Sequence, residues 1–284
     1  MTSKGLATLR ALSASPHKSC ISHVVVARDK NVTNDYANEI IDLAKKLQIP
    51  IFERSQTTPL TSHLIAVSWR WLIETSPDQK LIVFHDSILP RYRGFAPLVS
   101  ALINGDKHLG VTALLASAEY DRGPIIEQEI IEIEYPITIS KAINLLLPCY
   151  SSLSIKIVHN IITGNTKESL QNEANATYSL WRDEQDYYID WEWDSQYIKR
   201  FVDALGPPYK GAATIINGET FRIRECTPAP DVKIENRKSG KIIFTEENNP
   251  IIVCRTGLIK ITNITKENAH INILPLPKFR TRFI

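Results

Sequence analysis

Short β-branched runs alternate with segments of helical periodicity through the first 165 residues, and this alternation restricts the fold more than any other feature of the sequence. Strands are predicted at residues 22–28, 49–52, 64–68, 81–84, 111–117 and 125–133. Helices are predicted after Asn34 or Asp35, after Pro97, and over residues 140–163, where Pro148 should kink or interrupt the helix. This order predicts an α/β, doubly wound (Rossmann-like) domain with a parallel sheet.

The composition changes after Gly164, where a second region begins. Residues 165–177 are polar and are interpreted as linker, and beyond them Asp194 or Ser195 can cap a short helix that Gly206 ends. The remaining segments are short strands separated by Gly and Pro, which predicts a small β-barrel or sandwich. Residues 275–284 (PLPKFRTRFI) are interpreted as a basic tail.

The start of the chain departs from the usual order of a doubly wound domain. Such a domain normally opens with a strand, whereas Met1 leads almost directly into the helix-like residues 4–12 (KGLATLRAL). Two explanations stay open at this point: an abridged reading frame, or a fold that does without the first strand.

Composition argues against several classes of protein. The formal net charge of +2, from 33 basic and 31 acidic residues, lacks the strongly basic balance typical of a nucleic-acid-binding domain. No continuous apolar run approaches the roughly 18–20 residues of a membrane span, and no signal peptide is apparent. The four scattered cysteines predict reduced core residues in a cytoplasmic protein and no metal site.

The candidate site lies in two segments that follow predicted strands. Residues 84–97 (FHDSILPRYRGFAP) carry His85, and residues 110–128 (GVTALLASAEYDRGPIIEQ) deliver Asp121 into a turn closed by Gly123. Loops at the carboxyl ends of strands are where α/β proteins bind ligands. The two side chains could be a general base and the residue that orients it, or a loop-anchoring His and a turn-capping Asp.

These segments resemble the signature of the folate-dependent formyltransferase family, which includes methionyl-tRNA formyltransferase and the amino-sugar N-formyltransferases. The pattern His-x-Ser-[Ile/Leu]-Leu-Pro-x-Tyr-Arg-Gly is followed by Gly-Val-Thr and by Asp-x-Gly-x-Ile-x-x-Gln, in the family's order and spacing. Residues 178–191 (YSLWRDEQDYYIDW) and 204–212 (ALGPPYKGA) resemble the entry to the family's second domain. The resemblance implies a formyltransferase domain at residues 1–165, a linker at 166–194 and a small OB-like β-barrel domain at 195–284.

The resemblance also implies the chemistry. The donor would be N10-formyltetrahydrofolate, used as a co-substrate without a metal, and the acceptor a primary amine. The family's catalytic set is an Asn-x-His pair and the Asp of the Asp-x-Gly turn, which places His85 and Asp121 but puts Val83 where the Asn belongs. His85 would accept the proton of the attacking amine, and donors would stabilise the oxyanion.

Three explanations of Val83 stay open. Another donor could replace the amide, either the Ser68 hydroxyl, beside His85 if the two strands pair, or an indole N–H of Trp69 or Trp71. His85 could carry the task alone as imidazolium. The protein could instead be a folate or sugar binder without turnover. We assign Ser68 to the catalytic set with His85 and Asp121.

Two further groups of residues follow from the resemblance. The segment 68–76 (SWRWLIETS) occupies the place of the family's pterin-pocket loop. The residues expected to bind folate are Trp69, Arg70, Trp71, Leu72, Ile73, Glu119 and Tyr120. Those expected to bind the acceptor are Asp29, Lys30, Ser87, Pro90, Arg91, Arg93, Gly94 and Arg122, although Arg93 could instead fold back onto its own loop.

The acceptor is left between two classes. Residues 85–106, the EYDRG turn and the stretch 25–40 resemble the formyltransferases of surface-sugar pathways, including those of nonulosonic acids such as pseudaminic acid. That implies a nucleotide-linked 4-amino-4,6-dideoxy sugar as substrate, with no membrane or nucleic-acid partner, and leaves a homodimer open. Initiator tRNA, or a peptide amine, is the alternative acceptor.

Overall fold

The computed structural model describes residues 1–28 and 34–284, which form five α-helices and thirteen strands within those ranges. The helices are α1 (Ser3–Ala14), α2 (Ala37–Lys46), α3 (Pro97–Asn104), α4 (Ile139–Ile162) and α5 (Ser195–Leu205). The strands are β1 (Val24–Val26), β2 (Ile51–Glu53), β3 (His63–Val67), β4 (Lys80–His85), β5 (Arg93–Gly94), β6 (His108–Leu115), β7 (Ile125–Glu132), β8 (Tyr178–Ser179), β9 (Ala212–Ile216), β10 (Glu219–Ala229), β11 (Ile242–Glu246), β12 (Asn249–Val253) and β13 (Leu258–Lys266).

Two compact units divide the described chain. The first contains residues 1–98, 107–133 and 143–180, and the second contains residues 99–106, 134–142 and 181–284. The segment 166–180, predicted to begin a linker, therefore belongs to the first unit. Its backbone pairs there, because β8 runs parallel to β5 and Ser169 exchanges two hydrogen bonds with Ile125. The assignment of functions to residues 1–165, 166–194 and 195–284 stays a prediction.

The main sheet of the first unit is mixed, and the expectation of a parallel sheet is wrong for two of its three strand pairs. Its order is β3-β4-β6-β7; β3 and β4 are parallel, whereas β6 is antiparallel to both of its neighbours. The connection over residues 116–124 is too short for the crossover that a parallel β6–β7 pair would need. Alternation of strands and helices reports which elements exist but leaves the direction of each strand open.

A smaller parallel pair, β1 with β2, lies in the same unit beneath α1 and α2. One apolar cluster joins these four elements; its buried members are Leu6, Leu9, Val26, Ile40, Ala44 and Ile49. The residue that caps α2 is Tyr36, whose side chain makes no cap hydrogen bond, so the prediction of Asn34 or Asp35 as the cap is wrong. The Asp35 carboxylate instead accepts a hydrogen bond from the backbone N–H of Ala37, the first residue of the helix.

Helix α4 is continuous through Pro148, so the predicted interruption does not occur. By length and composition alone it could cross a membrane, with a mean hydropathy of 1.3 over an 18-residue window, one third of which is buried. The buried positions Ala142, Leu146, Leu153 and Ile157 recur at helical spacing. This is the pattern of an amphipathic helix that packs one face on a protein core, which passes the same test.

The second unit is built on an open antiparallel sheet of five strands in the order β11-β12-β13-β10-β9. Within the described residues no strand pair closes this sheet, so the predicted barrel is not closed. The residues interpreted as a basic tail also differ from expectation, because Phe283 is buried and bridges Ile216 while Arg282 bridges Lys241. Helix α5 begins as predicted, where the Asp194 side chain accepts a hydrogen bond from the backbone N–H of Tyr197.

Candidate active site

His85 and Asp121 lie side by side at the end of β4. The His85 Nδ1 is 3.4 Å from the Asp121 Oδ1, and both side chains are mostly buried, with 9% and 14% of their surfaces exposed. The His85 Nε2 lies 2.8 Å from the carbonyl oxygen of Tyr92. A carbonyl oxygen can only accept, so Nε2 carries a proton and Nδ1 is the nitrogen that faces the carboxylate. Tyr92, rather than Asp121, therefore fixes the orientation of the ring.

The turn that carries Asp121 is held by close backbone approaches. Asp121 has a φ of +56°, in the left-handed region, and its Oδ2 accepts a 2.8 Å hydrogen bond from the Gly94 N–H. A Cβ added at Gly123 would lie 1.8 Å from the carbonyl oxygen of Leu115. No side chain fits there, which explains the glycine of the Asp-x-Gly pattern. The loop of residues 86–94 and the Asp121 turn thus meet through a hydrogen bond from the Gly94 backbone to the Asp121 side chain.

Hydrogen bonds within the first unit order the loop that follows His85. Ser87 Oγ donates to the Arg91 carbonyl at 2.7 Å, and Thr112 Oγ1 donates to the Ser87 carbonyl at 2.6 Å. Gln128 Nε2 donates to the Leu89 carbonyl and to Thr112 Oγ1. Ser87, expected to contact the acceptor, is 4% exposed and instead ties its own loop together. This loop structure presents the Tyr92 carbonyl to His85.

A buried ion pair lies directly beside His85 in the chain. The Asp86 carboxylate contacts both the Lys4 ammonium and the Tyr150 hydroxyl. Burial works to raise the pKa of Asp86, but the charge and hydrogen bond of Lys4, with the hydrogen bond of Tyr150, outweigh it and lower that pKa. Burial, followed by the charge of Asp86, raises the pKa of Tyr150 well above its ordinary value. Tyr150 is therefore a neutral hydroxyl that donates its proton to Asp86.

Ser68 stands one residue past β3, whose register pairs Val67 with Phe84, the residue before His85. Its hydroxyl, however, hydrogen-bonds to Tyr150. Because the Tyr150 proton goes to Asp86, the Ser68 hydroxyl is the donor in that contact. The Ser68 proton is thus directed to Tyr150, and Ser68 would have to exchange this partner to act on an oxyanion. Val83, half-buried in β4, pairs with Ala66 and Leu114.

Arg93 occupies a structural position, and the expectation that it binds the acceptor is corrected. Its side chain is 0% exposed and makes a two-pronged ion pair with Glu173, each N···O distance being 2.8 Å. Glu173 also pairs with Arg122, which contacts Glu119 as well. Hydrogen bonding to Glu173 raises the pKa of Arg93, while the Arg93 hydrogen bond lowers that of Glu173. The partner of Arg93 therefore comes from the predicted linker and not from its own loop.

The residues expected to bind folate lie mainly at the surface. Leu72 is 90% and Tyr120 is 79% exposed, and the Tyr120 ring lies 6.0 Å from that of Phe95. The Trp69 and Trp71 rings meet edge to face at 5.2 Å. Within residues 1–28 and 34–284, the buried indole N–H of Trp69 has no hydrogen-bond partner. Arg70 and Glu119 are exposed, whereas Ile73 is half-buried.

A cavity of 280 Å³ opens at the carboxyl ends of β1 and β2. Its lining residues are Val26, Ala27, Arg28, Glu53, Arg54, Ser55 and Trp71. The Arg54 guanidinium lies over the Trp71 ring at 5.1 Å. Neither His85 nor Asp121 lines this cavity, so the sequence prediction missed it apart from Trp71.

The other residues expected to bind the acceptor are scattered around the loop. Gly94 contributes the N–H that holds Asp121, and the Pro90 carbonyl accepts from Thr177. Arg91 is exposed and its guanidinium donates to the Tyr92 hydroxyl at 3.1 Å. Asp29 and Lys30 lie outside the described residues.

Both halves of the chain match models of one protein family. The family model described as Formyl transferase matches residues 70–144, and the one described as Formyl transferase, C-terminal domain, matches residues 182–273. The methionyl-tRNA formyltransferase of Azobacteroides pseudotrichonymphae is 30% identical over 232 residues, which are 78% of this chain and 71% of that protein. The chain belongs to the formyl transferase family. It is a folate-dependent formyltransferase.

Solved structures share the fold of this formyltransferase. The N-formyltransferase from Helicobacter canadensis, in complex with folinic acid and dTDP-3-aminofucose, gives a TM-score of 0.69 at 19% identity and covers 93% of this chain and 96% of that one. HypX from Aquifex aeolicus, in complex with tetrahydrofolic acid, gives a TM-score of 0.55 at 22% identity. That match covers 73% of this chain but only 36% of HypX. At these identities the likeness is one of fold.

Several residues that shape the site were missed by sequence reasoning. They are Lys4, Asp86, Tyr92, Thr112, Tyr150, Gln171 and Glu173. Asp86 and Tyr92 lie inside the recognised motif, so their positions were available. Lys4, Tyr150 and Gln171 come from distant segments, and their spacing along the chain carries no signal of the contact.

Proposed function

We propose that this formyltransferase moves a formyl group from N10-formyltetrahydrofolate to the primary amine of a nucleotide-linked 4-amino-4,6-dideoxy sugar. The observation that carries the proposal is the 3.4 Å approach of His85 Nδ1 to Asp121 Oδ1 at the mouth of a strand-end loop. An amine must be neutral to attack a formyl carbon, yet most amines are protonated at pH 7. A base beside a carboxylate supplies what that attack requires.

His85 has the geometry of a base in one tautomer. With the Nε2 proton donated to Tyr92, the lone pair of Nδ1 faces Asp121. An incoming ammonium can form hydrogen bonds to Nδ1 and to the carboxylate, and it becomes a neutral amine when it transfers one proton to Nδ1. Once Nδ1 has taken its proton, both ring N–H groups face oxygen acceptors, so the imidazolium is stabilised by Asp121 and by Tyr92.

A charge also develops on the oxygen of the formyl group as the amine attacks. The family's amide is replaced by Val83, so this chain must supply a donor from elsewhere. The imidazolium of His85 is one source, provided that its Nδ1–H group turns from Asp121 to the oxyanion. Trp69 is a second, because its buried indole N–H has no partner in the described part of the chain. Ser68 is a third, provided that it leaves Tyr150.

The donor folate supplies an activated formyl group when bound. The exposed apolar side chains of Leu72 and Tyr120 offer surface that a planar ring would cover, and Trp69 offers an unpaired donor. We assign the segment Trp69, Arg70, Trp71, Leu72, Ile73 and the pair Glu119, Tyr120 to folate binding. These features fit a flat, hydrogen-bonding heterocycle, and they are supported by the folate ligands of the Helicobacter canadensis and Aquifex aeolicus structures.

For the acceptor, two observations favour a nucleotide sugar. The near-neutral net charge of +2 gives little attraction for the phosphates of a tRNA. The Helicobacter canadensis enzyme, crystallised with a nucleotide-linked amino sugar, matches nearly the whole length of both chains. Methionyl-tRNA is the second candidate, favoured by the 30% identity to the Azobacteroides enzyme. A cytoplasmic location is part of the same proposal.

The test is an acceptor panel. Purified protein is incubated with N10-formyltetrahydrofolate and, separately, with dTDP- and UDP-linked 4-amino and 3-amino dideoxy sugars and initiator methionyl-tRNA. Tetrahydrofolate release and formylated product are followed together. We expect turnover with a 4-amino nucleotide sugar. Turnover with methionyl-tRNA alone would replace this proposal by the second candidate, and binding of folate without consumption of any donor would indicate a non-catalytic binder.

A further inference from the structure

We propose that Gln171 is a positioning residue that fixes the Asp121 turn against the loop containing Arg93, and so sets the distance between Asp121 and His85. Gln171 lies in the segment 166–180, outside the recognised motifs. This inference rests on the proposed role of the His85–Asp121 pair. It adds a residue to that site which the family pattern over residues 84–128 does not contain.

All four hydrogen-bonding positions of the Gln171 carboxamide are used. Its Nε2 donates to the carbonyl oxygens of Asp121 at 2.7 Å and Gly123 at 2.8 Å. Its Oε1 accepts from Arg93 Nε at 3.0 Å and from Arg93 Nη2 at 2.9 Å. A guanidinium only donates and a carbonyl only accepts, so the carboxamide has a single satisfactory orientation. The Gln171 side chain thus connects the Asp121 turn to Arg93.

These hydrogen bonds affect the catalytic pair because they hold the backbone that carries Asp121. Asp121 holds a left-handed backbone conformation, which costs free energy for a residue other than glycine. Two donors on the carbonyls of Asp121 and Gly123 stabilise that conformation from one side, and the Gly94 N–H holds the Asp121 carboxylate from the other. Gly94 directly follows Arg93, so Gln171 controls both contacts at once.

A second set of contacts fixes Gln171 itself. Ser169 exchanges two 2.8 Å backbone hydrogen bonds with Ile125, two residues past Gly123. Glu173, two residues after Gln171, pairs with Arg93 and Arg122. The segment 169–173 therefore has three independent attachments to the Asp121 turn or to its neighbours. Because the Gln171 carboxamide is itself fixed, it can hold Asp121 in a fixed position.

The experiment compares Gln171→Glu and Gln171→Met with Gln185→Glu. In the first variant an oxygen replaces the Nε2 amide and faces two carbonyl oxygens, whereas the acceptor for Arg93 is retained. Gln171→Met removes both kinds of contact without adding charge. Gln185 is exposed and lies in the second unit, so Gln185→Glu controls for the same chemical change. The assays measure kcat, KM for both substrates, folinic acid affinity, Tm, and hydrogen exchange of peptides that contain Gly94 and residues 119–125.

A displaced Asp121 should lower kcat about 10- to 100-fold in both Gln171 variants. KM and folinic acid affinity should change by less than about threefold, because the interaction that is lost is one made in the transition state. Exchange at Gly94 and in the turn should become faster, and Gln185→Glu should behave as wild type. Unchanged kcat, unchanged exchange, or a parallel loss of kcat, folate affinity and Tm would overturn the proposal. If wild-type protein formylates no acceptor, the proposed function fails while the exchange data still test Gln171.

Discussion

His85 and Asp121 approach within 3.4 Å, and each is held from its far side by a backbone group, the Tyr92 carbonyl and the Gly94 N–H respectively. Both backbone groups come from the same loop of residues 86–94. The pair therefore does not depend on a mutual hydrogen bond for its geometry. An amine that approaches both Nδ1 and Oδ1 from one side need not disturb the contacts that orient the two side chains.

Removal of the Asp121 charge is expected to lower kcat by about 100-fold or more, with folinic acid affinity preserved. Asp121→Asn keeps an oxygen that can accept from Gly94, so the turn should retain its shape. Steady-state kinetics with the best acceptor of the panel measures the effect. Asp78→Asn, the same change at an exposed position, is the matched control. Equal kcat values for the two variants would show that the Asp121 charge has no role in the reaction.

If another hydrogen-bond donor replaces the missing Asn amide, removal of that donor should lower kcat by about 100-fold. Ser68→Ala, Trp69→Phe and Trp71→Phe each delete one candidate donor. Trp69 has the buried indole N–H without a partner in the described chain, so its variant should show the greatest loss. Rates within threefold of wild type for all three variants would leave the imidazolium of His85 as the remaining donor.

Lys4→Met should lower the free energy of unfolding by about 3 kcal/mol, because it leaves the Asp86 carboxylate, 19% exposed, without its cation. Urea unfolding at pH 7 measures this change. The control is Lys80→Met, which breaks the exposed Lys80–Glu168 pair and should cost less than about 0.5 kcal/mol. Equal losses of unfolding free energy in the two variants would mean that burial of the Lys4–Asp86 pair contributes nothing to stability.

The same pair predicts a dependence of stability on pH. The pKa of Asp86 is lowered in the folded protein, so its carboxylate stabilises the fold above the ordinary value of 3.8. That contribution is lost as the pH falls through the lowered folded-state pKa. Asp86→Asn should therefore give a shallower decline of the unfolding free energy than wild type below about pH 4. Parallel declines in the two proteins would contradict the assignment.

Gly123→Ala is expected to destabilise the protein by about 2 kcal/mol or more and to lower kcat, since the new Cβ would lie 1.8 Å from a backbone carbonyl oxygen. Gly5→Ala in α1 is the control, because the nearest atoms to its new Cβ are 3.7 and 3.9 Å away. That change should be neutral or stabilise the helix by roughly 0.5–1 kcal/mol. Thermal unfolding and kinetics measure both variants, and similar Tm values would show that the Asp121 turn can yield.

Local features of the fold could be predicted from the sequence where one residue determines them. Asp194 begins α5 because its carboxylate accepts from the Tyr197 N–H, and β4 extends by one residue at each end beyond the predicted strand at 81–84. The direction of β6 and β7 could not be predicted, because side-chain alternation is the same in parallel and antiparallel strands. The open sheet of the second unit was missed for a similar reason: strand number does not specify closure.

The neighbours of the site were harder to predict than its centre. The order and spacing of a motif identified His85 and Asp121, which the structure brings together. No periodicity connects Lys4 or Tyr150 with Asp86, or Gln171 with Asp121, since each contact joins segments at least 50 residues apart. The proton order from Ser68 through Tyr150 to Asp86 could not be predicted, because it depends on a helix more than 80 residues away from Ser68 in the sequence.

The attachment of residues 169–180 to the Asp121 turn and to β5 affects how this enzyme can be recombined with its relatives. A chimera joined at residue 165 would combine the Asp121 turn of one parent with the Gln171 and Glu173 positions of another. The fully buried Arg93 would then depend on a residue from the other parent to pair with its charge. A junction that follows Leu180 would keep residues 143–180 with the Asp121 turn and the strand that they contact, because all of these belong to the first compact unit.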